Sequence, residues 1–450
     1  MGCMEQADII VIGSGQGGVP LAADFAQEGK KVVLFERGRF GGTCVNYGCT
    51  PSKAFLASAH AAGRAKLAGR LGVDAQVRVD FPAVMERVQG YRDSSSAGGE
   101  RRVGQAGVRL VGAEARFVGE RTVRGGDVEV RAETVVINTG GTPVVPAIPG
   151  LAGTPFLTSD TFWSLRQQPR RFLVLGGGYI GLELGQGMTR LGSEVHIIDP
   201  NQRLMAREEP EVGAALQKAL EGDGAKIHLQ AKAVKVEYDG VFTLYLENGE
   251  RLEGEGLLVA TGRKANVEAL SLDVAGIKLG EKGYIQIDQQ FRTSASGVFA
   301  IGDVAGQPAF THVSWEDYRR LKAILKGQNR TKDDRVLGYA AFTDPQLGRV
   351  GLTLEQAQKA GHQAKAVTLP LEKVARAWEL DEMNGFFRLV VDQESEKILG
   401  ATLVGYEAAE VVHTLLAHME AGSSWRVLER SVHIHPALGE GLPSLARLLM

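Results

Sequence analysis

Two stretches of the chain share one hydrophobic pattern. Residues 7–13 read ADIIVIG and residues 171–176 read RFLVLG, apolar runs closed by glycine. Runs of this length predict strands buried on both faces. The first breaks into Gly13-Ser14-Gly15-Gln16-Gly17-Gly18, the second into Gly176-Gly177-Gly178-Tyr179-Ile180-Gly181. A helical stretch follows each, and then another apolar run: VVLFE ending at Glu36, and EVHIID ending at Asp199. The acid trails the first glycine by 23 residues in both copies (13 to 36, 176 to 199), so one strand–turn–helix–strand unit is predicted twice. An Ala-rich stretch after Lys53 also predicts a helix. The longest uncharged segment, Thr134 to Ser159, contains Pro143, Pro146, Pro149 and Pro155. It reads as a strand followed by a linker, and not as a membrane helix.

The glycines give the pattern its chemistry. They permit a tight turn and bring a pyrophosphate close to a helix N-terminus, where unpaired amides and the helix dipole favour an anion. Glu36 and Asp199, at the ends of the second strands, then face ribose hydroxyls. Two such units point to two dinucleotides that meet to exchange electrons. Composition narrows the partners. At 450 residues the chain is too long for one ordinary core, and a net charge of -2 leaves no basic excess for nucleic acid or an anionic membrane. The N-terminus lacks the charged-then-apolar order of a secretory signal, and Gln6 stands where a myristoylation motif needs Ser or Thr; a cytoplasmic protein is expected.

Three cysteines, Cys3, Cys44 and Cys49, make no disulfide framework. Cys44 and Cys49 flank four residues, a spacing that on a helical turn or its entry can bring two sulfurs together. A helix start favours the reactive thiolate. Two buried thiols or a partial metal site are the alternatives, but no further Cys or close His completes a ligand set, and no metal is expected.

The segment 41–53, GGTCVNYGCTPSK, closely resembles the redox motif of the flavoprotein disulfide reductases, the family of glutathione reductase, dihydrolipoamide dehydrogenase and mercuric reductase. The resemblance covers nearly the whole chain. It implies an α/β fold with two Rossmann-like domains, for FAD and NAD(P), and a C-terminal α+β dimerisation domain. The implied boundaries are 1–148 for the first part of the FAD domain, 149–264 for the NAD(P) domain, 265–335 for the returning FAD part and 336–450 for the interface domain. Cys44 is implied to be the interchange thiol, and Cys49 the thiolate against the flavin. Lys53 is placed near the reactive flavin nitrogen, paired with Glu183, where the alternative is an ordinary surface ion pair. Tyr179 resembles the family's aromatic lid over the nicotinamide pocket, where helix packing is the alternative.

Other family positions fall on Thr43 beside FAD, on the crossings Thr139-Gly140 and Thr261-Gly262, on Gly302-Asp303 at the ribityl chain, and on His312 at a helix start beside the flavin carbonyl. Asp303 as a helix cap and His312 as a packed or capping histidine are the structural alternatives. His433-Ile434-His435-Pro436-Ala437-Leu438-Gly439-Glu440 is similar to the family's HPTxxE element. There His435 is the acid/base, Glu440 orients it, and the histidine serves the cysteines of the other subunit, which implies a homodimer. Ala437 and Gly439 replace the usual Thr and Ser.

A mercuric-type C-terminal cysteine pair and an N-terminal CxxC domain are missing, which disfavours mercury reduction. Asp199 and Met205 stand where NADPH-dependent relatives place two arginines, so NADH is expected, although Arg203 is nearby. The substrate is expected to be a small-molecule or carrier-bound disulfide, dihydrolipoamide dehydrogenase-like or glutathione reductase-like, in either direction. The rivals are a mercuric, quinone or metal-reducing flavoenzyme and a non-catalytic redox-sensing flavoprotein subunit.

Overall fold

The structure is a computed structural model describing residues 4–450; Cys3 lies outside the described residues. Its first sheet is built on Glu5–Ile12, flanked in parallel by Val32–Phe35 and Val128–Ile137. Arg109–Val111 extends the sheet beyond Val32–Phe35. Val128–Ile137 divides its outer edge. Residues 128–131 pair antiparallel with Thr122–Gly125, and residues 135–137 pair in parallel with Val298–Ala300. A strand from the end of the chain's second third therefore completes a sheet begun at residue 5. Ile10, Val11, Val33 and Val135 are fully buried, as parallel strands covered on both faces require.

The second parallel sheet runs in the order Lys226–His228, Glu194–Ile198, Arg171–Leu175, Gly256–Val259. A three-stranded antiparallel meander, Ala233–Tyr238, Phe242–Leu246 and Arg251–Gly254, accompanies it. Both predicted units are thus present. The two crossings between the sheets pair with each other: Gly141–Pro143 lies antiparallel to Arg263–Ala265. The segment expected as strand then linker holds this extra short strand, whose partner is over a hundred residues away.

From Gly338 the chain forms a five-stranded antiparallel sheet with Ala408–Glu420 packed on it. The helix Cys49–Leu67 ties the first unit to the second by lying against Tyr179–Leu191. There a Cβ on Gly187 would sit 2.4 Å from the Phe55 ring, so glycine sets how near the helices approach. Among the described residues, no helix is long and apolar enough to cross a membrane.

Candidate active site

A cavity of about 2870 Å³ runs from the Gly13 turn past Cys44 and Cys49 to the Gly176 turn. Single ligand pockets are typically about 300–1,000 Å³, so this cleft has room for two dinucleotides.

The first turn is shaped by backbone approach. Gly13 has φ +101° and a Cβ there would lie 2.4 Å from the Asn138 carbonyl oxygen; one on Gly18 would lie 2.4 Å from the Gly13 carbonyl oxygen. The helix Gly18–Gln27 starts here, and the Gly18 amide donates to Asn138 Oδ1 at 2.9 Å. Glu36 turns back onto the loop, accepting from the Ser14 amide (2.9 Å) and hydroxyl (2.6 Å). The second turn repeats this plan. Gly176 has φ +113°, a Cβ on Gly181 would meet the Gly176 carbonyl oxygen at 1.9 Å, and Gly178 borders open space. Asp199 accepts from the Gly177 amide at 2.6 Å and from Asn201. Both cradles fit a dinucleotide, since the volume a side chain would take is withheld at each turn.

Between the cradles the cysteines straddle a break in the helix. Cys44 lies in Gly42–Asn46 and Cys49 begins Cys49–Leu67; the amides of Tyr47 and Gly48 both donate to the Thr43 carbonyl, ending the first turn. Both cysteines line the cleft. Cys49 Sγ lies 3.0 Å from Thr311 Oγ1. Cys49 is exposed to the cleft, and its thiol is lowered to about 6, first by the hydrogen bond from Cys44 and further by Thr311 and Lys53, against partial desolvation by the surrounding atoms. The Cys44 thiol is raised by the same bond and by burial. The bond between them thus favours the proton on Cys44 and the thiolate on Cys49.

Lys53 Nζ meets Glu183 Oε2 at 2.7 Å. This is no ordinary surface pair. Glu183 is 7% exposed, its other oxygen accepts from the Phe342 amide at 2.9 Å, and Lys53 lies 4.4 Å over the Phe342 ring. The pair joins all three units. Tyr179, one helical turn before Glu183, lies edge-on to Phe310 and Tyr339.

Gly140 and Gly262 have φ +66° and +125° and border open space at the two crossings. Arg263 spans them, donating to Thr43 Oγ1 (3.4 Å), Ser159 Oγ (3.2 Å) and the Gly141 carbonyl. Gly302 has φ +72° and is packed against Ser314 and Asn138. Asp303 lines the cleft within a short 3-10 turn, and burial raises its carboxyl. It does not cap the helix Thr311–Leu325, whose N-cap is Phe310. His312 is packed as well as helical: Nε2 donates to the Gly338 carbonyl at 2.6 Å and its ring stacks on Phe310.

His435 stands apart. Its Nδ1–H donates to Glu440 Oε2 at 2.8 Å, leaving Nε2 free, but neither residue lines the cleft that holds the cysteines. Its side chain is 72% exposed, and Val432 and Ile434 beside it are 99% and 83% exposed.

Sequence reading did not single out Ser14, Asn138, Arg263 or Thr311. Their roles come from partners 22 to 262 residues distant, and only the position of Asn138 at the end of VVIN gave a local signal.

Residues 7–317 match the pyridine nucleotide-disulphide oxidoreductase family and residues 338–446 its dimerisation domain. The chain is 35% identical to a dihydrolipoyl dehydrogenase of Thermus scotoductus, over 99% of this chain and 98% of that one. It is 34% identical to a mercuric reductase of Bacillus cereus, over 97% of this chain and 70% of that one. The solved Cu(II) complex of the HOCl-induced flavoprotein disulfide reductase RclA from Escherichia coli superposes with a TM-score of 0.91 at 29% identity, covering 99% and 100% of the two chains. The chain belongs to the pyridine nucleotide-disulphide oxidoreductases, and is an FAD-binding, NAD(P)H-dependent flavoprotein disulfide oxidoreductase with a C-terminal dimerisation domain.

Proposed function

We propose that this protein is a cytoplasmic, homodimeric, NADH-preferring reductase of a small-molecule or carrier-bound disulfide, working through Cys44 and Cys49. The observation that carries this reading is the split of the two thiols, one lowered and one raised, in the cleft between two nucleotide cradles. FAD, when bound in the first cradle, supplies two-electron transfer between a nicotinamide and the dithiol.

The chain's own residues then perform thiol exchange. Cys44 loses its proton to a base, and its thiolate attacks one substrate sulfur; a Cys44–substrate disulfide forms as the substrate S–S bond breaks. The departing thiolate takes the proton back. The Cys49 thiolate next attacks Cys44 Sγ, forming the Cys44–Cys49 disulfide as the Cys44–substrate bond breaks and the second substrate sulfur leaves as a thiolate, which takes its proton from solvent. Lys53 and Thr311 hold the Cys49 thiolate ready. His435, with Nδ1 fixed by Glu440 and Nε2 free, is the base. Because it lies outside its own chain's cleft, it serves the cysteines of the partner subunit. Asp199 accounts for the choice of NADH, since a carboxylate repels a 2′-phosphate. Arg203 turns one guanidinium nitrogen, Nη2, to the carbonyls of Ala206 and Glu208.

A metal ion as electron acceptor is the second reading, favoured by a dithiol that is also a soft ligand pair. Anaerobic titration of the holoenzyme with NADH, followed by thiol labelling, tests the main reading. Two new thiols per subunit, mapped to Cys44 and Cys49 and consumed on adding a disulfide, are expected. Turnover of quinones or metal ions with both cysteines alkylated would contradict it.

A further inference from the structure

Glu208 is a buried carboxylate that the disulfide chemistry does not use. It is 5% exposed and accepts two tyrosine hydroxyls: Tyr179 at 2.5 Å, and Tyr339 at 3.0 Å and 3.3 Å to its two oxygens. Behind it lies Arg349, 2% exposed, its Nε 4.0 Å from Glu208 and without a hydrogen-bond partner among the described residues. The two tyrosine donors and Arg349 come from two parts of the chain. Tyr179 opens the helix after the second glycine turn, whereas Tyr339 and Arg349 belong to the five-stranded sheet. Glu208 itself closes the loop that begins at Asp199, where the Met205 amide donates to the Gly177 carbonyl.

The Tyr179 ring is also held from the side, edge-on to Phe310 at 5.9 Å and to Tyr339 at 6.1 Å. Phe310 adjoins Thr311, which touches Cys49. Tyr179 thus lines the cleft beside the Gly176 cradle, in contact with a residue next to the cysteine side.

From this arrangement we infer that Glu208 is a positioning residue: through the hydroxyl it latches the Tyr179 ring across the path from the Gly176 cradle to the dithiol, and the interface domain sets the latch through Tyr339 and Arg349. The inference rests on the reading of the Gly176 cradle as the nicotinamide-nucleotide site. Binding of the nicotinamide end then has to break a hydrogen bond to a charged acceptor, while binding of the adenosine-diphosphate end does not. Burial and the neighbouring Tyr339 and Glu208 raise the Tyr179 hydroxyl, so it stays protonated and donates throughout the neutral range.

The test compares NAD+ with ADP-ribose, which lacks the nicotinamide, by calorimetric titration of the oxidised holoenzyme. In Tyr179→Phe the NAD+ dissociation constant should fall about tenfold, the low end for a hydrogen bond to a charged group, while that of ADP-ribose stays unchanged. Glu208→Gln should shift NAD+ in the same direction by less, because an amide oxygen still accepts. The double variant should not exceed Tyr179→Phe, as expected for two residues sharing one bond. Should Glu208→Gln fail to fold beside Arg349, Tyr179→Phe decides alone. An unchanged ratio of NAD+ to ADP-ribose affinity in Tyr179→Phe overturns the latch and leaves the nicotinamide reading standing. Failure of the wild-type protein to bind either ligand overturns the nicotinamide reading and the latch with it.

Discussion

The Sγ of Cys49 lies 3.0 Å from the hydroxyl oxygen of Thr311, a contact between the first residues of two helices from different parts of the chain. With Cys44 and Lys53 it assembles a thiolate site around Cys49, against partial desolvation in the cleft.

The pH dependence of that site follows from the sign of the shift. The Cys49 thiol is lowered to about 6, so the thiolate is present above that pH and is lost as pH falls through it. In reduced protein, the ultraviolet thiolate absorbance and the long-wavelength band of a thiolate against bound FAD should both disappear on acidification with a midpoint near about 6. Thr311→Val and Lys53→Met should each move the midpoint upward, since each removes a group that favours the thiolate. A midpoint unmoved in both variants would rule out this account of the site.

The paired cradles separate the two nucleotides. A methyl on Gly18 meets the Gly13 carbonyl oxygen, and one on Gly181 the Gly176 carbonyl oxygen, backbone atoms in both cases. Gly18→Ala should purify with little flavin, measured as the ratio of flavin to protein. Gly181→Ala should keep its flavin and lose NAD+ binding. Loss of flavin in Gly181→Ala alone would reverse the assignment.

Nicotinamide choice should follow Asp199. The wild-type kcat/KM should favour NADH over NADPH, and Asp199→Ala should lower the NADH value about tenfold, as for loss of a hydrogen bond to a charged group, without lowering that for NADPH. Steady-state kinetics with both nucleotides measures this, and a wild-type preference for NADPH would refute it.

Proton transfer by a positioned side chain contributes about 10²–10⁴-fold in rate. His435→Gln should lose activity with the disulfide substrate within that range, and Glu440→Gln less, because it only fixes the imidazole. Flavin reduction by NADH, followed by stopped-flow absorbance, should stay nearly normal in both.

Much of this site was legible because its signals are local. Gly13 and Gly176 punctuate apolar runs, and Glu36 and Asp199 end the next strand at a fixed spacing; these are properties of one βαβ unit. The redox segment 41–53 is likewise continuous. What stayed hidden depends on distant approach. Asn138 becomes a cradle residue only because Val128–Ile137 lies beside Glu5–Ile12. Glu183 becomes buried through the Phe342 amide, 159 residues away. The short strand Gly141–Pro143 exists through its pairing with Arg263–Ala265, so a proline-rich stretch read as linker on local grounds.

The separation of His435 from its own chain's cleft makes the central claim testable in one measurement. Cys44→Ser and His435→Gln subunits, each inactive in disulfide reduction as homodimers, are mixed through reversible unfolding, and heterodimers carrying two different tags are isolated. If His435 acts on the partner's cysteines, one site of each heterodimer pairs intact Cys44 with intact His435. Disulfide reductase activity should then return to about half of the wild-type value per dimer, by the random geometry of two sites of which one is whole. Verified heterodimers as inactive as their parents would contradict the shared dithiol site.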